Sequence, residues 1–126
     1  MKNESPEHKS TLIIGASSKP HRASNQLIHL CQQHAIPTFA IGAREDIVAG
    51  VRIQKQMFHI DNIHTISLYL NEGNQAKFED YIIGLKPNRI IFNPGPENRS
   101  FFKKASAEGI ECIEACSLVM IRLGQY

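Results

Sequence analysis

A chain of 126 residues, 42% apolar, 7% aromatic and 21% charged, has room for one packed core and too few residues for two ordinary domains. That mix excludes a wholly disordered chain and a disulfide-stapled miniprotein. A net charge of +2, spread along the chain, offers no dense basic patch for duplex DNA, and the apolar runs fall far short of the ~20 residues of a membrane-spanning helix.

The first ten residues, MKNESPEHKS, are polar and lack the apolar stretch of a signal peptide. Residues 1–9 read as a flexible tail, and 10–126 as a single domain. Without an export signal the protein is expected in the cytoplasm, with Cys31, Cys112 and Cys116 reduced; their odd number and irregular spacing fit no disulfide framework.

The first expected strand is Thr11–Gly15 (TLIIG), and the stripe Leu27, Leu30, Cys31 and His34 predicts the first helix. Pro37–Ile41 (PTFAI) is the second strand. Between Gly42 and Asn62 the pattern is mostly connection, with Val51–Ile53 as a small extra strand. His64–Leu70 (HTISLYL) follows, then a helix carried by Phe78, Tyr81, Ile82 and Leu85 that runs out at Gly84 and Pro87. Asn88–Asn93 (NRIIFN) is the fourth strand. The next helix bears Phe101, Phe102 and Ala105, with Pro96 near its start and Gly109 past its end. Ile110–Ala115 (IECIEA) is the fifth strand.

The five strand starts are 26, 27, 24 and 22 residues apart, room for a strand, a helix and two loops each time. Leu12-Ile13-Ile14 and Ile90-Ile91-Phe92 are continuously apolar, as a strand covered on both faces must be. Strict alternation predicts a three-layer, doubly wound α/β fold: about five parallel strands in the order 3-2-1-4-5. In such sheets ligands sit beyond the carboxyl ends of the strands.

At the first of those ends, Gly15-Ala16-Ser17-Ser18 is a tight turn of small residues feeding a helix N-terminus, which suits an anion. Ser24 adds a hydroxyl and Arg22 a charge. A plain βα loop with an N-capping Ser has the same composition. The dinucleotide fingerprint G-x-G-x-x-G is absent, since positions 15–20 read G-A-S-S-K-P. The second strand ends Ile41-Gly42-Ala43-Arg44, with no carboxylate at the tip for a ribose diol. Arg44 either meets a phosphorylated ribose, as in NADP or coenzyme A, or is a solvated side chain paired with Glu45 or Asp46. The third tip, Tyr69-Leu70-Asn71, couples apolar groups to an amide, and Asn93-Pro94-Gly95 forms a rigid wall at the fourth. Asn74 and Asn98 read as helix N-caps.

Together the Gly15–Ser18 turn, the Gly42-Ala43-Arg44 tip, Leu68-Tyr69-Leu70-Asn71, Asn93-Pro94-Gly95 and Glu114–Met120 resemble the CoA-binding domain family. These are small single-domain Rossmann-like proteins similar to the CoA-binding domain of the succinyl-CoA synthetase alpha subunit. The likeness runs over residues 10–126. It implies that the phosphates of CoA meet Gly15, Ala16, Ser17 and Ser18 with Arg22 and Ser24 nearby, and that adenosine lies near Ile41, Gly42, Arg44, Tyr69, Leu70 and Asn71. The family commonly carries Asn-Pro after the second strand, where this chain has Gly42-Ala43.

No histidine is paired with a carboxylate as an acid–base couple at the ligand edge; His21 stands there as a loop residue. Cys116 opens the final segment, either as a thiolate near the cofactor or as a packed thiol. The cysteine and histidine spacings form no compact set of metal ligands. The expectation is therefore a binding module for CoA or an acyl-CoA with no evident catalytic machinery, and neither nucleic acid nor membrane as partner. The alternative is a small NADP- or nucleotide-dependent enzyme on the same sheet.

Overall fold

The computed structural model describes residues 8–95 and 98–126. In chain order the elements are β1 (Thr11–Ala16), α1 (Ala23–Gln33), β2 (Thr38–Gly42), β3 (Asp46–Val48), β4 (Val51–Gln54) and β5 (Thr65–Leu68). A short helix α2 (Glu72–Gln75) runs through a 3-10 turn (Ala76–Phe78) into α3 (Glu79–Leu85). Then come β6 (Arg89–Phe92), α4 (Arg99–Ala107), β7 (Glu111–Glu114) and α5 (Ser117–Arg122). The expected tail falls mostly on residues 1–7, and the expected helix start at Pro96 likewise lies outside the described residues.

The seven strands form one sheet in the order β3-β4-β2-β1-β5-β6-β7. All neighbours pair in parallel except β3 and β4, which form an antiparallel hairpin. The expected order 3-2-1-4-5 is not the one adopted. Val51–Gln54, expected only as a small extra strand, occupies the place beside β2, and β5 lies on the other side of β1. Counted along the chain, the six parallel strands run 3-2-1-4-5-6, the order of doubly wound dinucleotide-binding sheets. β4 escaped the apolar-run criterion because only one of its faces is covered: Val51 and Ile53 are buried while Arg52 is exposed. The return from β2 to β4 is made by β3 in the plane of the sheet. Within β3 the Asp46 carboxylate accepts the Ile47 N–H at 2.8 Å.

Each face of the sheet has its own core. Leu27, Ile28 and Cys31 of α1 and Leu118 and Ile121 of α5 pack on Ile13, Ala40, Ile53 and Ile91. On the other face Phe78, Ile82 of α3 and Phe101 and Ala105 of α4 pack on Leu12, Ile14, Ile66 and Ile90. Phe101 is fully buried, a burial that contributes up to about 3 kcal/mol. In β1 the register with β2 slips between Ile14 and Ala16. Gly15, at φ +92°, absorbs the extra residue, so Ala16 lands on the same face as Ile13.

The amino-terminal edge of the sheet carries a buried polar lock. Arg89 donates from Nε to Thr65 Oγ1 (2.8 Å) and from Nη1 to the Tyr126 carbonyl (3.1 Å), with its guanidinium 4.5 Å from the Tyr126 ring centroid. The Tyr126 hydroxyl shares a 2.7 Å hydrogen bond with Thr11 Oγ1. Lys9, placed in the tail by composition, donates to the same carbonyl of Tyr126 at 2.7 Å and so belongs to the folded unit.

Candidate functional site

Beyond the carboxyl ends of β1, β2 and β5 lies a cleft of about 370 Å³. Its floor is Gly15, Ile41, Gly42 and Ala43; Leu70, Asn74 and Phe78 form the wall on the β5 side, and Lys55 and Lys77 also line it. The strand order creates this cleft, because β1 sits where the chain reverses direction across the sheet and its two neighbouring crossovers lie on opposite faces.

The Gly15–Ser18 loop at its edge is locked from within. Asn25 of α1, buried, donates from Nδ2 to the Ser17 carbonyl at 3.0 Å. Ser17 Oγ accepts the Lys19 N–H at 3.1 Å, so this hydroxyl closes a turn. Arg22 is the N-cap residue of α1 and makes no side-chain cap bond; it and Ser18 are exposed, while Ser24 is buried. The 11-residue α1 thus directs its first turn, free of any acidic side chain, toward solvent at the ligand edge.

Both glycines of the site are fixed by packing. A Cβ on Gly15 would lie 3.0–3.1 Å from the backbone and Cβ of Tyr69. A Cβ on Gly42 would lie 2.2 Å from the Ala16 carbonyl oxygen and 2.9 Å from Ile53 Cγ2. A side chain at Gly42 has no room here: the end of β1 rests directly on the tip of β2.

The third tip divides its residues between two faces. Leu70 lines the cleft, whereas Tyr69 packs against the core on the face covered by α1 and α5. The Tyr69 hydroxyl is buried with no hydrogen-bond partner among the described residues, and burial pushes its pKa well above the usual phenol range. Asn71 is the N-cap of α2, accepting the Asn74 N–H at 2.9 Å; the cap is Asn71 and not Asn74. Asn98 does cap α4, accepting the Phe101 N–H at 3.1 Å, and its Nδ2 donates to buried Gln75 Oε1 at 2.8 Å.

A second hollow, about 230 Å³, lies beyond β5, β6 and β7 between Asn93, Pro94, Gly95, Asn98 and Glu114. Asn93 works here as a clamp. Its Oδ1 accepts the Ser117 N–H at the start of α5 (2.8 Å), and its Nδ2 donates to Ser67 Oγ (2.9 Å) and the Leu68 carbonyl (3.1 Å). Ser67 and Ser117 share a further 2.8 Å bond. Cys116 is half-buried at the N-cap of α5. Cys31 is fully buried in the core, where desolvation pushes its thiol up to about 12.

Arg44 is exposed, one residue past the cleft-lining Ala43, and forms no ion pair with Glu45 or Asp46 among the described residues. His21 is exposed as well. His59 and Asp61 form an exposed pair at 2.6 Å, away from the strand tips. Among the described residues no group of three or more His, Cys, Asp or Glu could hold a metal ion, and no helix is long and apolar enough to cross a membrane. Sequence reasoning missed Asn25, Lys55, Lys77 and Phe78. Lys55 was legible in principle: it directly follows the Val51–Ile53 stretch, and a third parallel strand there puts it at the ligand edge.

Among solved structures, an uncharacterised protein is 35% identical, with a TM-score of 0.90 over 94% of this chain and 98% of its own. A hypothetical protein from Pyrococcus horikoshii OT3 (21% identity, TM-score 0.78, covering 91% of this chain and 83% of that one) has the same fold. So does Prb, the PH1109 protein redesigned for binding (19% identity, TM-score 0.82, covering 94% and 85%). No curated protein matches the sequence. The family model described as the CoA binding domain matches residues 9–122, nearly the whole chain, and with the cleft at the reversal point of its sheet this protein belongs to that family.

Proposed function

We propose that this domain binds coenzyme A or an acyl-CoA as a binding module. The observation that carries the reading is the cleft over β1, β2 and β5, which reaches Gly15 at the head of the loop leading into α1, in a chain of the CoA-binding family. Adenine lies in that cleft, beside Leu70 and the Ile41-Gly42-Ala43 tip of β2. The diphosphate then crosses the amides of Ala16, Ser17 and Ser18, with the positive end of α1 and Arg22 behind them. The pantetheine arm runs toward Pro94, Gly95 and Cys116, along the hollow beyond β6. A narrow flexible chain suits that path better than a nicotinamide ring does.

The test is thermal unfolding with CoA, acetyl-CoA, NAD and NADP at equal concentrations. CoA at a ~100-fold excess over Kd stabilises by about 2.7 kcal/mol, a rise in Tm of roughly 10 °C for a domain of this size. NAD and NADP leave Tm unchanged. Stabilisation by NADP and not by CoA would transfer the protein to the dinucleotide-dependent class.

A further inference from the structure

We propose that Lys55 and Lys77, and not Arg44, are the cations that recognise a phosphate on the ribose of the bound adenosine. The inference rests on the adenosine placement above and adds the specificity-determining groups of that cleft. Lys55 immediately follows β4, one strand beyond β2, and Lys77 lies in the 3-10 turn after α2, beyond β5. The two lysines therefore stand on opposite sides of β1, and both line the one cleft. Neither has an ion pair or hydrogen bond among the described residues. Lys77 Nζ stands 5.6 Å from the ring centroid of Phe78, itself buried against the sheet and lining the same cleft.

Two unneutralised lysines flanking Ile41, Leu70 and Phe78 are a poor match for an uncharged purine and ribose. They match a dianion at the rim of a purine slot, where each ammonium acts as a point charge with rotatable donors. Arg44 is exposed and lies on the connection leading out to edge strand β3, so it does not line the slot. The ligand class selected is a 3′- or 2′-phosphorylated adenosine, and CoA is the member that the family fold accommodates.

Titration calorimetry with CoA, dephospho-CoA and adenosine 3′,5′-bisphosphate tests this on wild type, Lys55→Gln, Lys77→Gln, the double variant and Arg44→Gln. Wild type prefers CoA to dephospho-CoA by about tenfold or more, the worth of one charge-assisted hydrogen bond. The double variant binds both alike, while Arg44→Gln keeps the preference. Loss of the preference in Arg44→Gln, with retention in the lysine double variant, overturns the assignment. Equal weakening of both ligands in the lysine variants overturns it too, since the lysines would then attract anions without reading the ribose. Failure of CoA alone, with the bisphosphate still bound in a lysine-dependent way, defeats the CoA reading and leaves the lysine pair standing. If the bisphosphate also fails to bind, both fall. All variants should unfold at the wild-type denaturant midpoint, because the side chains changed take no part in the core.

Discussion

Replacing Gly42 with Ala probes the point on which the site is built. The added methyl would sit 2.2 Å from the Ala16 carbonyl oxygen, more than 1 Å inside ordinary contact, and 2.9 Å from Ile53 Cγ2. It cannot retreat, because Ala16 is held in the β1 ladder and Ile53 is fully buried in β4. Relief requires that the backbone of two strands separate, and overpacking of this kind costs about 2–4 kcal/mol. For this chain length that is a fall in Tm of roughly 10 °C. Urea unfolding at fixed pH reads it as a lower midpoint with unchanged slope. Gly84→Ala is the matched control: Gly84 lies in α3, has no atom within 4 Å of its would-be Cβ, and should gain up to about 1 kcal/mol from helix propensity. Because the Ala16–Ser18 loop moves with the Ala16 carbonyl, CoA affinity should fall in Gly42→Ala and not in Gly84→Ala. A Gly42→Ala protein with the wild-type midpoint and CoA affinity would refute the claim that loop and strand tip form one rigid unit.

Asn93→Ala should cost about 1–3 kcal/mol, since it leaves the Ser117 N–H and Ser67 Oγ short of a partner, and hydrogen exchange should accelerate through residues 117–122. Gly15→Val should destabilise the fold itself through the Tyr69 contact and the φ of +92°, so the phosphate loop is better tested with Arg22→Gln. That variant should keep its unfolding midpoint within about 0.5 kcal/mol, because Arg22 is exposed, and bind CoA several-fold more weakly by calorimetry. Burial raises the folded-state pKa of Cys31 from 9.0 to about 12, so its thiol stabilises the fold fully below about pH 9. That contribution drains away at up to about 1.4 kcal/mol per pH unit as pH rises toward 12. Urea midpoints between pH 8 and 10.5 should therefore fall less steeply for Cys31→Ala than for wild type, and parallel slopes would contradict the burial argument.

Two central strands, β1 and β6, were legible because burial on both faces leaves a continuous apolar run, as in Leu12-Ile13-Ile14 and Ile90-Ile91. β4 was legible only as the small extra strand Val51–Ile53, since a strand covered on one face alternates, and three residues of alternation do not mark a full member of the parallel order. The wrong strand order followed from leaving that stretch out of the parallel count. It also hid Lys55, whose place at the cleft depends on which strand lies beside β2. Gly15 and Gly42 were read as places where a ligand approaches; the packing gives each a further reason to be glycine, the close approach of Tyr69 to Gly15 and of the Ala16 carbonyl and Ile53 to Gly42. Tyr69 and Leu70 were assigned together, although neighbours on an extended segment must point to opposite faces. Asn93 looked like a wall for ligand, and its three-way hydrogen bonding is invisible without the register that brings Ser67 and Ser117 beside it.

Ending the sheet on β3 also governs how copies of this chain meet one another. An open parallel edge would invite a strand from a second molecule to extend the ladder. Here the edge strand is three residues long and runs against its neighbour. The amide of its middle residue, Ile47, is already held by the carboxylate of Asp46. At the opposite edge, β7 begins and ends with exposed glutamates, Glu111 and Glu114, so two such edges repel when they approach. Edge-to-edge polymerisation is thus opposed on both sides of the sheet, although the 68% exposed side chain of Ile47 leaves an apolar spot on one of them.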